Sequence, residues 1–230
     1  EYEQGMFTLQ KCRDLFQQKC TLWGIAFAVS KMGLAADGLK NHDKALQYHQ
    51  KALEVFKRIE NQVGIGYSLS RMSMSACFLG NFEQALKYGK EALDLFDELG
   101  HRWEISCSLS RIGFAYIGMG LIDFAQENFS KALEISDQNQ MEPLSLYALA
   151  GLCCVMMKMG QEKDAFELMY YVKYHPKTPK TYLDQAYCVA NEFCRSMSGK
   201  RNRGEFMNIL DFSLEEVINR YLDSPEIIRK

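Results

Sequence analysis

Apolar residues recur along this chain at helical spacing, and the pattern itself recurs. Leu86, Gly89, Leu93 and Phe96 fall on one face of a 3.6-residue helix. Shifted by 40 residues, the chain nearly matches itself: Ala45, Ala85, Ala125 and Ala165 share one phase, and Ala52, Ala92 and Ala132 stand seven residues later. The pattern predicts alternating first-type and second-type helices, paired at 21–39 with 41–59, 61–79 with 81–99, 101–119 with 121–139, and 141–159 with 161–174. Gly80-Asn81, Gly120-Leu121 and Gly160-Gln161 separate the helices of three pairs, and glycine there suits a left-handed helix stop. The first pair departs, with Lys40 at that place and Gly38 two residues earlier.

Residues 1–19 align with 81–99, matching the Glu-Gln pair, Leu15-Phe16 with Leu95-Phe96, and Cys12 with Ala92. They are expected to be the second helix of a half repeat whose first helix is missing, as in a fragment of a longer protein. Such a helix carries a face suited to self-association, because a repeat unit buries its apolar surface only against neighbours.

Composition adds limits rather than chemistry. The 230 residues carry a formal charge of -2 with acids and bases interleaved, which gives no global reason to expect nucleic acid. No apolar run approaches the roughly 18 residues a membrane span needs. The eight cysteines form no CxxC pair and sit mostly within helical patterns, as reduced thiols in a cytoplasmic protein do.

Four copies in register carry a family resemblance. Met32-Gly33, Met72-Ser73, Ile112-Gly113 and Leu152-Cys153 stand where the tetratricopeptide repeat (TPR) has Leu-Gly, Tyr116 supplies the following aromatic, and the alanines above supply the two small positions, with Phe129 between one pair of them. The small residues let paired helices approach closely, where larger side chains would overpack. Residues 1–175 thus resemble a TPR array with a period of 40 rather than the usual 34, each helix about one turn longer. The resemblance implies an all-α fold: a right-handed TPR superhelix, or α-solenoid, of antiparallel helix pairs.

After the repeats, the run from His175 to Pro179 breaks the helix. Helices are then expected over 182–197 and 205–210, separated by a basic loop carrying Lys200, Arg201 and Arg203. Ser213-Leu-Glu-Glu216 reads as a capping box opening a last helix through Leu222. Residues 176–230 are read as a C-terminal helical cap over the last repeat. This tail resembles the end of the C-terminal TPR arrays of large bacterial signal-transduction ATPases and LuxR-type regulators, in which the array serves as a sensor or docking arm.

Candidate chemistry is sparse. His42, His49, His101 and His175 form no HExxH or Cys/His cluster, so no metal, cofactor or catalytic residue is assigned and an enzyme is not expected. Ser198-Gly199-Lys200 lacks the spacing of a phosphate loop. Lys31, Arg71 and Arg111 recur at the 40-residue period in first-type helices; Phe27, Tyr67 and Tyr147 lie four residues before this phase, and Met74 and Phe114 three after. Residues so spaced share a helix face. The TPR resemblance implies that this face lines a concave groove, where the bases would take carboxylates and the aromatics would anchor a protein or peptide. Duplication alone would also carry the bases along with Ser30, Ser70 and Ser110, so a purely structural role is the better-favoured alternative. Trp23 and Trp103, which begin first-type helices, are expected in packing between repeats, with anchoring of a partner as the alternative. The chain is read as a peptide-binding interaction or sensor domain of a larger signalling protein, contacting neither nucleic acid nor membrane. A peptide-pheromone or small-effector receptor and a scaffold or self-assembly arm are its alternatives.

Overall fold

Every twenty residues the backbone of this chain reverses. In the computed structural model, which describes residues 2–178 and 212–222, Cys20, Lys40, Glu60, Gly80, Gly100, Gly120, Gln140 and Gly160 all have positive φ, between 52° and 80°. Each ends a helix. After Gly38 the Asn41 N–H donates to the Ala36 carbonyl and the Lys40 N–H to that of Asp37, both at 2.9 Å, the paired bonds of a left-handed helix stop. Four stops are glycine. The other four hold a side chain where L-residues are disfavoured.

Between the stops lie eight helices of 17 residues: α1 Tyr2–Gln18, α2 Leu22–Gly38, α3 His42–Arg58, α4 Gln62–Phe78, α5 Phe82–Glu98, α6 Arg102–Gly118, α7 Ile122–Gln138 and α8 Glu142–Lys158. Helix α9, Glu162–Tyr174, is shorter. It ends because Pro176 forces the preceding His175 into extended backbone, at φ -66° and ψ 129°. A last described helix, α10, runs Leu214–Leu222. Its start is the capping box read from the sequence: the Ser213 N–H donates to Glu216 Oε2 at 2.7 Å and the Glu216 N–H to Ser213 Oγ at 3.2 Å. The expected helices over 182–197 and 205–210 and the basic loop between them lie outside the described residues. Among the described residues there is no strand, and the fold class is an all-α solenoid.

The chain forms two compact units, Glu1–His101 and Arg102–Lys230. In the first, each helix packs on the next from α1 to α5, and α2 also meets α4. Its core includes Ala26, Val29, Ala52 and Phe56, flanked by Ile25, Tyr48 and Ile65. In the second, α6 packs on α7 and α8, α7 on α8, and α8 on α9, while α10 lies against α7 and α8 and buries Val217, Ile218 and Tyr221.

Small residues set these approaches. The signature alanines Ala45, Ala52, Ala85, Ala92, Ala125 and Ala132 are fully buried. Phe129 lies between Gly113 of α6 and Gly151 of α8, where any Cβ would collide with its ring. In the first unit His49 takes the Phe129 position and lies against Gly33 in the same way. Buried serines combine smallness with satisfied hydroxyls: Ser73 donates to the Ala85 carbonyl at 2.7 Å and Ser106 to that of Ala132 at 2.9 Å, each bridging the two helices of a pair.

Candidate functional site: an aromatic and cationic face on α2 and α4

In the first unit the period-40 ladder reaches the surface. Phe27 and Lys31, one turn apart on α2, are exposed, and so is Tyr67 on α4; Arg71 and Met74 are half-buried. Trp23, one turn before Phe27, stacks on it with ring centroids 5.2 Å apart and an interplanar angle of 12°. The Lys31 ammonium lies 5.1 Å from the Phe27 ring centre, within cation–π range. Tyr67 meets the buried Phe96 of α5 edge to face at 5.7 Å, so its ring is held from below while its outer side stays open.

The result is a column of Trp23, Phe27 and Lys31 on one helix and Tyr67 and Arg71 on its neighbour. Spacing by four along each helix produces both columns. Buried small residues lie behind the columns: Gly24 of α2 is packed against the Phe16 ring of α1, and Gly64 of α4 against the Phe56 ring of α3. Trp23 begins a first-type helix, where packing between repeats is expected and anchoring of a partner is the alternative. It is half exposed, and the signal that would have found it was its four-residue spacing from Phe27. Trp103, which received the same reading, is also exposed.

The second unit differs from the expectation. Arg111, Phe114 and Tyr147, which the ladder placed on an open face, are 3%, 3% and 1% exposed. Phe114 packs on Phe129 at 4.9 Å and on Tyr147 at 5.5 Å, joining α6, α7 and α8 in one aromatic cluster. Here the phase that lines the surface of α2 and α4 belongs to the core, because α6 and α8 are enclosed on nearly every side.

Polar chemistry elsewhere has a structural character. Tyr171 is buried, and its hydroxyl is pushed above the ordinary range by desolvation first and by the charges of Glu142 and Glu216 next. Desolvation, with Lys177 nearby, lowers His175, against an opposing pull from Glu142, which itself pairs with Lys177 at 2.7 Å. The Ser213 hydrogen bonds hold Glu216 below the usual carboxylate range. Among the described residues no group of three or more His, Cys, Asp or Glu could hold a metal ion, and no helix is long and apolar enough to cross a membrane.

Comparison with known proteins agrees with the repeated helix pairs of the fold. Residues 25–98 match the tetratricopeptide repeat family. No curated protein matches the sequence. Among solved structures, the chain is similar to the apo form of RapI, at 18% identity and a TM-score of 0.56, covering 99% of this chain and 85% of that one. It is also similar to BtubC (BKLC) from P. vanneervenii, at 10% identity and TM-score 0.61 over 98% and 92% of the two chains. A putative kinesin light chain from Podosopora anserina with nearly identical TPR-like repeats shares the fold at 12% identity and TM-score 0.52, over 85% of this chain and 99% of that one. The helix pairs over residues 25–98 are thus similar to tetratricopeptide repeats, and the solved structures share the repeated helical fold.

Proposed function

We propose that the open face of α2 and α4 is a peptide-docking surface, and that the chain acts as the cytoplasmic sensor or docking arm of a larger signalling protein. The observation that carries the reading is the exposed Trp23–Phe27 stack capped by Lys31 beside Tyr67 and Arg71. Exposed aromatics held rigid by stacking lose little entropy on binding, and aromatic and arginine side chains dominate binding energy at interfaces. The cations select for carboxylates. The ligand that fits is an extended or helical peptide with an acidic side chain next to an aromatic or aliphatic one.

A random peptide display library selected against the whole chain tests this. Enriched sequences should combine acidic and aromatic residues, and binding should weaken with salt. Lys31→Glu combined with Arg71→Glu should reduce affinity for an enriched peptide about a hundredfold, as expected for two reversed charge-assisted contacts. Unchanged affinity in that variant would rule the face out.

A further inference from the structure

The first unit buries a carboxylate between the two helices that carry its open face. Asp37, at the end of α2, has a side chain only 6% exposed. From α4, Ser75 Oγ stands 3.2 and 3.0 Å from its two oxygens and donates to it. The same hydroxyl lies 3.2 Å from the Arg71 carbonyl, one turn back in its own helix. From α3, His42 Nδ1 is 2.9 Å from Asp37 Oδ1, and its ring stacks on Phe78 of α4 at 4.3 Å. His49 Nε2 is 3.6 Å from Oδ2. Among the described residues no lysine or arginine pairs with this carboxylate. Asp37 therefore joins α2, α3 and α4 through polar contacts alone.

The fold does not require such a joint. Along the period Asp37 is replaced by Cys77, Ile117 and Met157, and Ser75 by Ala35, Ala115 and Val155, so the pair 38 residues apart recurs in the second unit as Ile117 with Val155. In the second unit Ile117 of α6 and Val155 of α8, the counterparts of Asp37 and Ser75, are buried and apolar, so the same helix ends pack without a charge. A carboxylate is costly to bury, and replacing buried polar pairs by apolar residues of similar volume is often neutral or stabilising. What the carboxylate adds is direction. Apolar packing tolerates sliding, whereas a hydrogen bond to an ionised acceptor fixes one geometry.

We propose that Asp37 is a positioning residue for the open face. By holding Ser75 it sets the spacing of α2 and α4, and with it the span from Phe27 and Lys31 to Tyr67 and Arg71. The part of this that concerns binding rests on the peptide-docking reading; the part that concerns helix spacing stands without it.

The test replaces the joint by its counterpart in the second unit, Asp37→Ile with Ser75→Val. The melting temperature should be unchanged or raised. Nitroxide labels on Lys31→Cys and Tyr67→Cys, in a background cleared of accessible native thiols, should give one narrow distance with the native joint. The apolar joint should give a broadened or displaced distribution. In unlabelled protein, affinity for a display-selected peptide should fall about tenfold. Asp37→Asn, which keeps an acceptor for Ser75 without the charge, should show a smaller change in both readouts, and it carries the test if the apolar pair fails to fold. An unchanged distance distribution overturns the proposal, as does unchanged affinity for a peptide that Lys31→Glu with Arg71→Glu releases. If that charge-reversed variant releases no peptide, the docking reading fails, and the distance distribution alone still decides the role of Asp37.

Discussion

Phe27 and Tyr147 occupy the same position of their helices, 120 residues apart, yet Phe27 is 42% exposed and Tyr147 1%. Lys31 and Arg111 are likewise equivalent, and only Lys31 is at the surface. The cause lies in the company each helix keeps. Behind its exposed column, α2 is built from small residues on one side only. Helix α8, running LSLYALAGLCCVMM from Leu144, is apolar all round, which suits a helix enclosed by others. Duplication copies a residue into a phase of the helix, while the packing of neighbours decides whether that phase meets water.

The sharpest way to break this comparison is to truncate both aromatics. Tyr147→Ala should destabilise the chain by about 3–5 kcal/mol, the cost of a large buried aromatic, whereas Phe27→Ala should cost no more than about 0.5 kcal/mol, as at ordinary surface sites. Urea unfolding of the two variants measures both, and equal losses would mean that Phe27 is as enclosed as Tyr147.

A smaller effect asks whether the units differ in backbone strain as they do in exposure. Glu60 in the first unit and Gln140 in the second both sit at positive φ, 53° and 55°. Replacing either by glycine should stabilise by about 0.5 kcal/mol, the relief of a left-handed side chain less the entropy glycine adds to the unfolded chain. Matching rises in melting temperature are expected. A gain in one variant only would show that the two stops are not equivalent.

The smallest effect is confined to the second unit. His175 is held below its ordinary value of 6.5, chiefly by desolvation. Around and below that pH the unfolded chain binds a proton more readily than the folded one, so stability falls as pH drops from above 6.5 toward the lowered folded value. Thermal melts of the native chain and of His175→Gln between neutral and mildly acidic pH should converge as pH falls, the native chain losing more. Parallel curves would show that burial does not perturb this histidine.

Much of the fold was legible because its causes are local. Helix lengths, the stops at Gly80, Gly120 and Gly160, the break before Pro176 and the Ser213–Glu216 box all follow from residues within one turn of each other. The left-handed stops at Cys20, Glu60 and Gln140 carry no glycine to announce them; the period alone places them. The candidate face was half legible. Spacing by four put Phe27 with Lys31 and Tyr67 with Arg71, but it could not tell that pair from Arg111 and Tyr147.

The sequence by itself determined the repeat, because small residues and helix stops act through nearest neighbours. The tertiary structure decided which copies of the ladder meet solvent, since that depends on helices far away in the chain. It also decided that Asp37 meets Ser75, 38 residues on, His42 and His49 in a joint that the alignment of repeats shows only as four departures from the repeat pattern. Those contacts are directional and long-range, and periodicity records neither property.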